Sequence, residues 1–233
     1  MTVVSKPRAR AEAQAAAILR ERLADRIDRA GGATLGVPGG RSVAGVLERL
    51  AASDALFDAV DLFFVDERCV PLESEESNYR VVRDALLDPL AARRAAPPQH
   101  RIHPFVCAED DADLGTGAYE EEFRRVATHL DAALLGVGED GHIASLFPGR
   151  PELAEGSRLF VGVENAPKPP PRRMSASPAL LTMPDTTVVL LFFGEGKKRA
   201  LKAFVAKEGS PQECPARLVT GVPDLWVFTD IGA

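Results

Sequence analysis

Residues 134–149, LLGVGEDGHIASLFPG, decide how this chain folds. The apolar run over 129–135 has the character of a buried strand, and it empties into a turn carrying Gly136, Gly138 and Gly141. Glycine accepts positive φ and lets a ligand approach the backbone closely. The turn then presents Asp140, Gly141 and His142 just before a second apolar segment. Ligands of open α/β sheets settle beyond the carboxyl ends of strands, so a histidine delivered there is well sited for chemistry.

Working outward, hydrophobic period and chain breakers sketch the other elements. Ile18, Leu23 and Ile27 give residues 9–29 one apolar helical face, ended by Gly31 and Gly32. Further strands are predicted at 34–37, 60–65, 102–106, 159–163, 172–175, 187–193 and 225–228. Helices are predicted at 43–50, at 78–87 with a stop before Pro89, at 111–128 and at 195–207. The proline-punctuated stretch 91–100 reads as a surface connection. No repeat or low-complexity linker divides the sequence, so one domain over 1–233 is expected. Alternating strands and helices argue for an α/β fold with helices on both faces of a mostly parallel sheet.

Three more segments carry chemistry. The strand at 34–37 leads through Pro38-Gly39-Gly40-Arg41-Ser42 into a helix. Unpaired N–H groups and the dipole of a helix start favour an anion, glycines clear its path, and Ser42 adds a hydroxyl or caps the helix. Asp66-Glu67-Arg68 closes the strand at 60–65. Arg68 suits a phosphate or an oxyanion; the two carboxylates either face the same crevice, hold Arg68 or cap the next loop. Asn78 ties that loop to the site or caps the helix beginning there. Lys168 is flanked by Pro167, Pro169, Pro170 and Pro171, which keep it on a stiff, extended loop.

Together, DGHIASLFPG, VDERCVPLESEESNYR (65–80) and NAPKPPPRRMS (165–175) resemble the 6-phosphogluconolactonase family, whose larger group includes the glucosamine-6-phosphate deaminases. The resemblance implies a modified Rossmann-like three-layer α/β/α sandwich. It implies hydrolysis of 6-phospho-D-glucono-1,5-lactone to 6-phospho-D-gluconate in the pentose phosphate pathway, with no cofactor and no metal. His142 would take a proton from water and return it to the leaving ring oxygen, with Asp140 orienting the imidazole or shaping the turn. Lys168 and Arg172 match positions the family associates with substrate binding, joined here by Gly39, Gly40, Arg41, Ser42, Asp66, Arg68 and Asn78. The family's loop is similar to Ser-Gly-Gly-Ser-Thr-Pro; this chain keeps both glycines but departs at Pro38, Arg41, Ser42 and Val43.

Two rival readings remain. The deaminases resemble DGHIAFNEP, where a glutamate moves protons; Phe147 stands at that position here, and DER replaces their DEY at 66–68. The other rival is a sugar-phosphate sensor that binds without turnover. A net charge of −6 argues against general nucleic-acid binding. No apolar run reaches the roughly 20 residues that cross a bilayer. The start, MTVVSKPRARAEAQAAA, lacks the apolar core of a secretory signal, so a cytoplasmic monomer acting on a small molecule is expected. Cys69, Cys107 and Cys214 are an odd number at wide spacings, so no disulfide or zinc framework is expected and Cys69 reads as a packing residue. His100 and His103 form an HxxH without companion ligands, and His129 reads as structural.

Overall fold

A computed structural model describes residues 1–40, 42–52, 56–93, 97–206 and 208–232 of the chain. Its strands are β1 (Thr2–Ser5), β2 (Ala33–Val37), β3 (Val60–Phe64), β4 (Asp66–Arg68), β5 (Ile102–His103), β6 (Ala132–Gly136), β7 (Phe160–Val163), β8 (Arg173–Ala176), β9 (Thr187–Phe192) and β10 (Asp224–Thr229). Its helices are α1 (Arg8–Ala30), α2 (Ala44–Ala51), α3 (Asn78–Val82), α4 (Asp88–Ala92), α5 (Thr116–Val126), α6 (Pro178–Leu181) and α7 (Lys198–Val205). Seven strands form one sheet in the order β1-β10-β9-β6-β2-β3-β5, every neighbouring pair parallel. Every residue of β2 and β9 is buried, as expected where helices cover both faces of a parallel sheet.

The strand order fixes where helices lie. Chain from β1 to β2, from β2 to β3 and from β3 to β5 moves toward one edge, whereas chain from β5 to β6, β6 to β9 and β9 to β10 moves toward the other. Right-handed crossovers therefore set α1, α2, α3 and α4 on one face and α5, α6 and α7 on the opposite one. The direction reverses between the neighbours β2 and β6, which makes the crevice beyond Val37 and Gly136 the topological switch point. A second, antiparallel sheet in the order β4-β8-β7 roofs this end. It hangs from the large sheet because only Val65 separates β3 from β4, and Ala176 N donates to Val65 O at 2.6 Å.

Several boundaries differ from the sequence reading, each for a local reason. Helicity continues past Pro89 to Ala92 because a π-type turn over Arg83–Leu87 resets the register. Pro89 then falls in the first turn of α4, where its missing N–H costs no bond. The helix expected from residue 111 begins only at Thr116, since Leu114 (φ 60°) and Gly115 (φ 86°) are left-handed. Asp113 caps it instead, accepting from Gly115 N at 3.0 Å and Gly117 N at 2.9 Å. The segment at 195–207 divides into a 3₁₀ turn over Glu195–Lys197 followed by α7, and Lys207 lies outside the described residues, as does Arg41. β1 and α6, each of four residues, escaped the sequence reading.

The cysteine reading is corrected. Cys69 and Cys107, 38 residues apart, form a disulfide with Cα atoms 5.1 Å apart, while Cys214 is free and buried. The cause is tertiary: Cys69 directly follows β4 and Cys107 lies shortly beyond β5, and roofing the sheet brings these ends together.

Candidate active site

The switch point opens into a cleft of about 220 Å³. Pro38, Gly39, Gly40 and Ser42 line it from the end of β2, and Gly136, Val137, Gly138, His142 and Ala144 from the end of β6. Asp66 and Arg68 enter from β4, Asn78 from α3, Arg173 from β8 and Lys197 from the turn after β9. Two glycines are required by contact alone. A Cβ on Gly39 would lie 2.0 Å from Asn78 Oδ1, and one on Gly138 would lie 2.0 Å from His142 Nδ1. A wider hollow of about 580 Å³ at the amino ends of the strands is lined by Arg26, His129 and Asp131, where Asp131 pairs with Arg26 at 2.7 Å and lies 3.3 Å from His129 Nε2.

His142 and Asp140 meet directly. Nδ1 lies 2.5 Å from Asp140 Oδ1, and Lys168 Nζ stands 3.7 Å from the same oxygen. Burial pushes the Asp140 carboxyl up, but the hydrogen bond and charge of His142, helped by Lys168, outweigh it and hold the group well below the usual carboxylate range. An ionised carboxylate only accepts, so Nδ1 carries the proton and Nε2 keeps the lone pair whenever the ring is neutral. Gly141 (φ 86°) makes the tight turn that lets residues two apart touch, and Gly138 N donates to His142 O at 2.8 Å. Phe147, fully buried, closes the far side with its ring 4.6 Å from the imidazole.

The DER triplet separates into three tasks. Asp66 joins both halves of the site: Oδ2 accepts from Ser145 Oγ at 2.9 Å and Oδ1 from Asn78 Nδ2 at 3.0 Å. Asn78 therefore braces Asp66 rather than capping its helix. Glu67 does the capping, accepting from Asn78 N and Tyr79 N at 2.7 Å each, from Arg68 N at 2.7 Å and from Ser77 Oγ at 3.0 Å. Burial raises the Glu67 carboxyl above its ordinary value, and the N–H groups of Asn78, Arg68 and Tyr79 offset this only in part. Arg68 donates from Nη1 to Glu76 O across the loop that Glu67 closes.

One residue is corrected by its neighbour. Arg172, assigned to substrate by resemblance, turns away and donates to Glu109 O at 2.6 Å. Arg173 faces the cleft, because strand alternation sends adjacent side chains to opposite faces. Its guanidinium gathers the proline-rich loop, donating to Lys168 O, Pro169 O and Pro170 O at 2.9–3.0 Å. It also lies opposite Arg68 in the β4–β8 register. Burial, and next the charge of Arg68, push the Arg173 guanidinium down. Two like charges directly opposite each other on a sheet repel, and an anion between them removes that cost. Lys197 is the other residue missed by the sequence reading.

Among the described residues lining this cleft, Arg68, Arg173 and Lys197 are cationic and Asp66 is the one carboxylate, so the cleft is positive in a chain of net charge −6. An anionic group would dock among the cations and the Gly39–Gly40 amides, beside an imidazole of fixed tautomer.

Known proteins resemble this chain over most of its length. A 6-phosphogluconolactonase of Borreliella burgdorferi is 38% identical over 198 residues, covering 85% of this chain and 83% of the relative. One from Synechocystis is 34% identical over 215 residues, covering 89% and 86%. The crystal structure of a 6-phosphogluconolactonase from Shewanella baltica superposes with a TM-score of 0.83 at 24% identity, covering 98% and 96%, and supports the fold. Residues 6–226 match the family described as glucosamine-6-phosphate isomerases/6-phosphogluconolactonase, and the chain belongs to that family.

Proposed function

We propose that this protein is a 6-phosphogluconolactonase, hydrolysing 6-phospho-D-glucono-1,5-lactone to 6-phospho-D-gluconate in the pentose phosphate pathway. The observation that carries the reading is the His142–Asp140 pair at the edge of a cationic cleft. In this reading Nε2 of His142 takes a proton from water as the water attacks the lactone carbonyl. The imidazolium, steadied by Asp140, then returns the proton to the departing ring oxygen. A guanidinium of Arg68 or Arg173 stabilises the oxyanion, while the remaining cations and the backbone of Gly39, Gly40 and Ser42 hold the phosphate. No cofactor is called for, because hydrolysis moves only water and protons.

The isomerising deaminase reading needs a proton carrier at position 147. Phe147 cannot supply one; its ring packs against His142 and lies 5.5 Å from the Arg173 guanidinium. The test is a coupled assay with 6-phosphogluconate dehydrogenase and freshly made lactone. Loss of lactone faster than in buffer is expected; a rate equal to buffer would sink the assignment, and tight binding without turnover would favour the sensor reading. Lys168→Ala is expected to raise KM about ten- to 150-fold, the worth of one charge-assisted contact of about 1.5–3 kcal/mol, with a smaller change in kcat. An unchanged KM would remove Lys168 from substrate binding.

A further inference from the structure

We propose that Cys69–Cys107 is a redox-active site, opened by a dithiol reductant, whose state sets how firmly Arg68 is held for substrate; the kinetic part of this proposal rests on the lactonase reading above. Cys69 follows Arg68 directly, and its own N–H donates to Arg172 O at 2.9 Å. Cys107 belongs to the segment after β5, which contacts the roof a second time where Arg172 reaches Glu109 O. The disulfide thus ties the end of β5 in the large sheet to the end of β4 in the roof. Without it, the loop carrying Arg68 keeps its β8 pairing and the Glu76 contact but loses its covalent anchor.

The site is open to exchange. Both cysteines are half-buried, and the neighbouring Val106 is 68% exposed, so a thiol can approach. Cys214 does not compete, being 2% exposed and packed against Gly141. In the exchange, one thiolate of the dithiol attacks a sulfur of the pair and the Cys69–Cys107 bond breaks. The second thiol then resolves the mixed disulfide. Two electrons and two protons pass to the protein, leaving two cysteine thiols and an oxidised reagent. A small-molecule disulfide such as oxidised glutathione reverses the step.

The experiment compares the full-length protein after treatment with oxidised glutathione and after dithiothreitol. Thiol titration under denaturing conditions should find one thiol in the first state and three in the second, matching the cysteine count. Reduction should raise KM for the lactone about three- to tenfold with little change in kcat, as for a coupled residue that does not itself touch ligand. Cys107→Ser should sit at the reduced value and ignore both reagents. Amide hydrogen exchange over residues 68–77 should quicken on reduction. Equal KM in the two wild-type states, a responsive Cys107→Ser or three thiols after oxidation would overturn the proposal. If neither state turns over lactone, the lactonase reading alone has failed, and amide exchange decides: faster exchange supports the tether, unchanged exchange refutes it.

Discussion

Alanine at position 142 is expected to lower kcat for lactone opening by about 10²–10⁴-fold, the range for losing a positioned general base, and to leave KM within a few-fold. The asymmetry follows from the site's layout. Three cations and the Gly39–Gly40 backbone line the cleft apart from the imidazole, so in the proposed reading binding of the substrate's anion survives its loss. The lactone also opens unaided, so the buffer rate is subtracted before comparison. Asp140→Asn should reduce kcat as well, because an amide can donate to Nδ1 and leave the proton on Nε2, the wrong tautomer for a base. Acid stability gives an independent readout. Burial would lift the Asp140 carboxyl, but His142 and then Lys168 hold it below its ordinary 3.8. A depressed folded value contributes stability that is complete above 3.8 and is lost only as pH falls through the lower value. Removing His142 brings that loss closer to 3.8, so the variant should unfold at higher pH than wild type on acid titration. A variant with wild-type kcat and the same acid midpoint would mean that the pair has neither role.

What the sequence made legible is what burial and backbone chemistry write locally. Strands β2, β3, β6 and β9 are apolar runs because both sheet faces are covered; after β6, Gly138 is forced by Asp140 and His142 folding back on the turn, and Gly141 by its positive φ and by Cys214 packed against it. What stayed hidden depends on chain brought from afar. Nothing near Cys69 announces Cys107, since only the roof over the sheet pairs them. Choosing between Arg172 and Arg173 required the register of β8, although alternation from Ser175, whose hydroxyl accepts from Ser145 N, was a usable signal. Lys197 follows the end of β9, where the carboxyl-end rule alone would have directed attention. β1 was missed because it is a short edge strand with Val3 half exposed, so it lacks an apolar run.

Glu67→Ala is expected to destabilise the fold by about 3 kcal/mol, since hydrogen bonds to a charged partner contribute about 1.5–3 kcal/mol each and desolvation offsets part of the sum. Four donors converge on this one carboxylate, from Arg68 N, Ser77 Oγ, Asn78 N and Tyr79 N. Alanine leaves all four in a region where Ser77 and Asn78 are at most 1% exposed, so water cannot readily replace the lost oxygens. For a chain of this size such a loss lowers Tm by on the order of 10 °C. Glu67→Gln keeps one accepting oxygen but turns an NH₂ toward the other donors, so it should fall between wild type and alanine. The functional consequence is separable from stability. Glu67 closes the same loop that the disulfide anchors at Cys69, and between these two fixings lies Arg68. At a temperature where both variants remain folded, KM should therefore rise in the order wild type, glutamine, alanine. Urea denaturation and the coupled assay on the three proteins test this directly. A loss below about 1 kcal/mol in alanine, the worth of a single ordinary hydrogen bond, would show that the loop does not depend on the carboxylate.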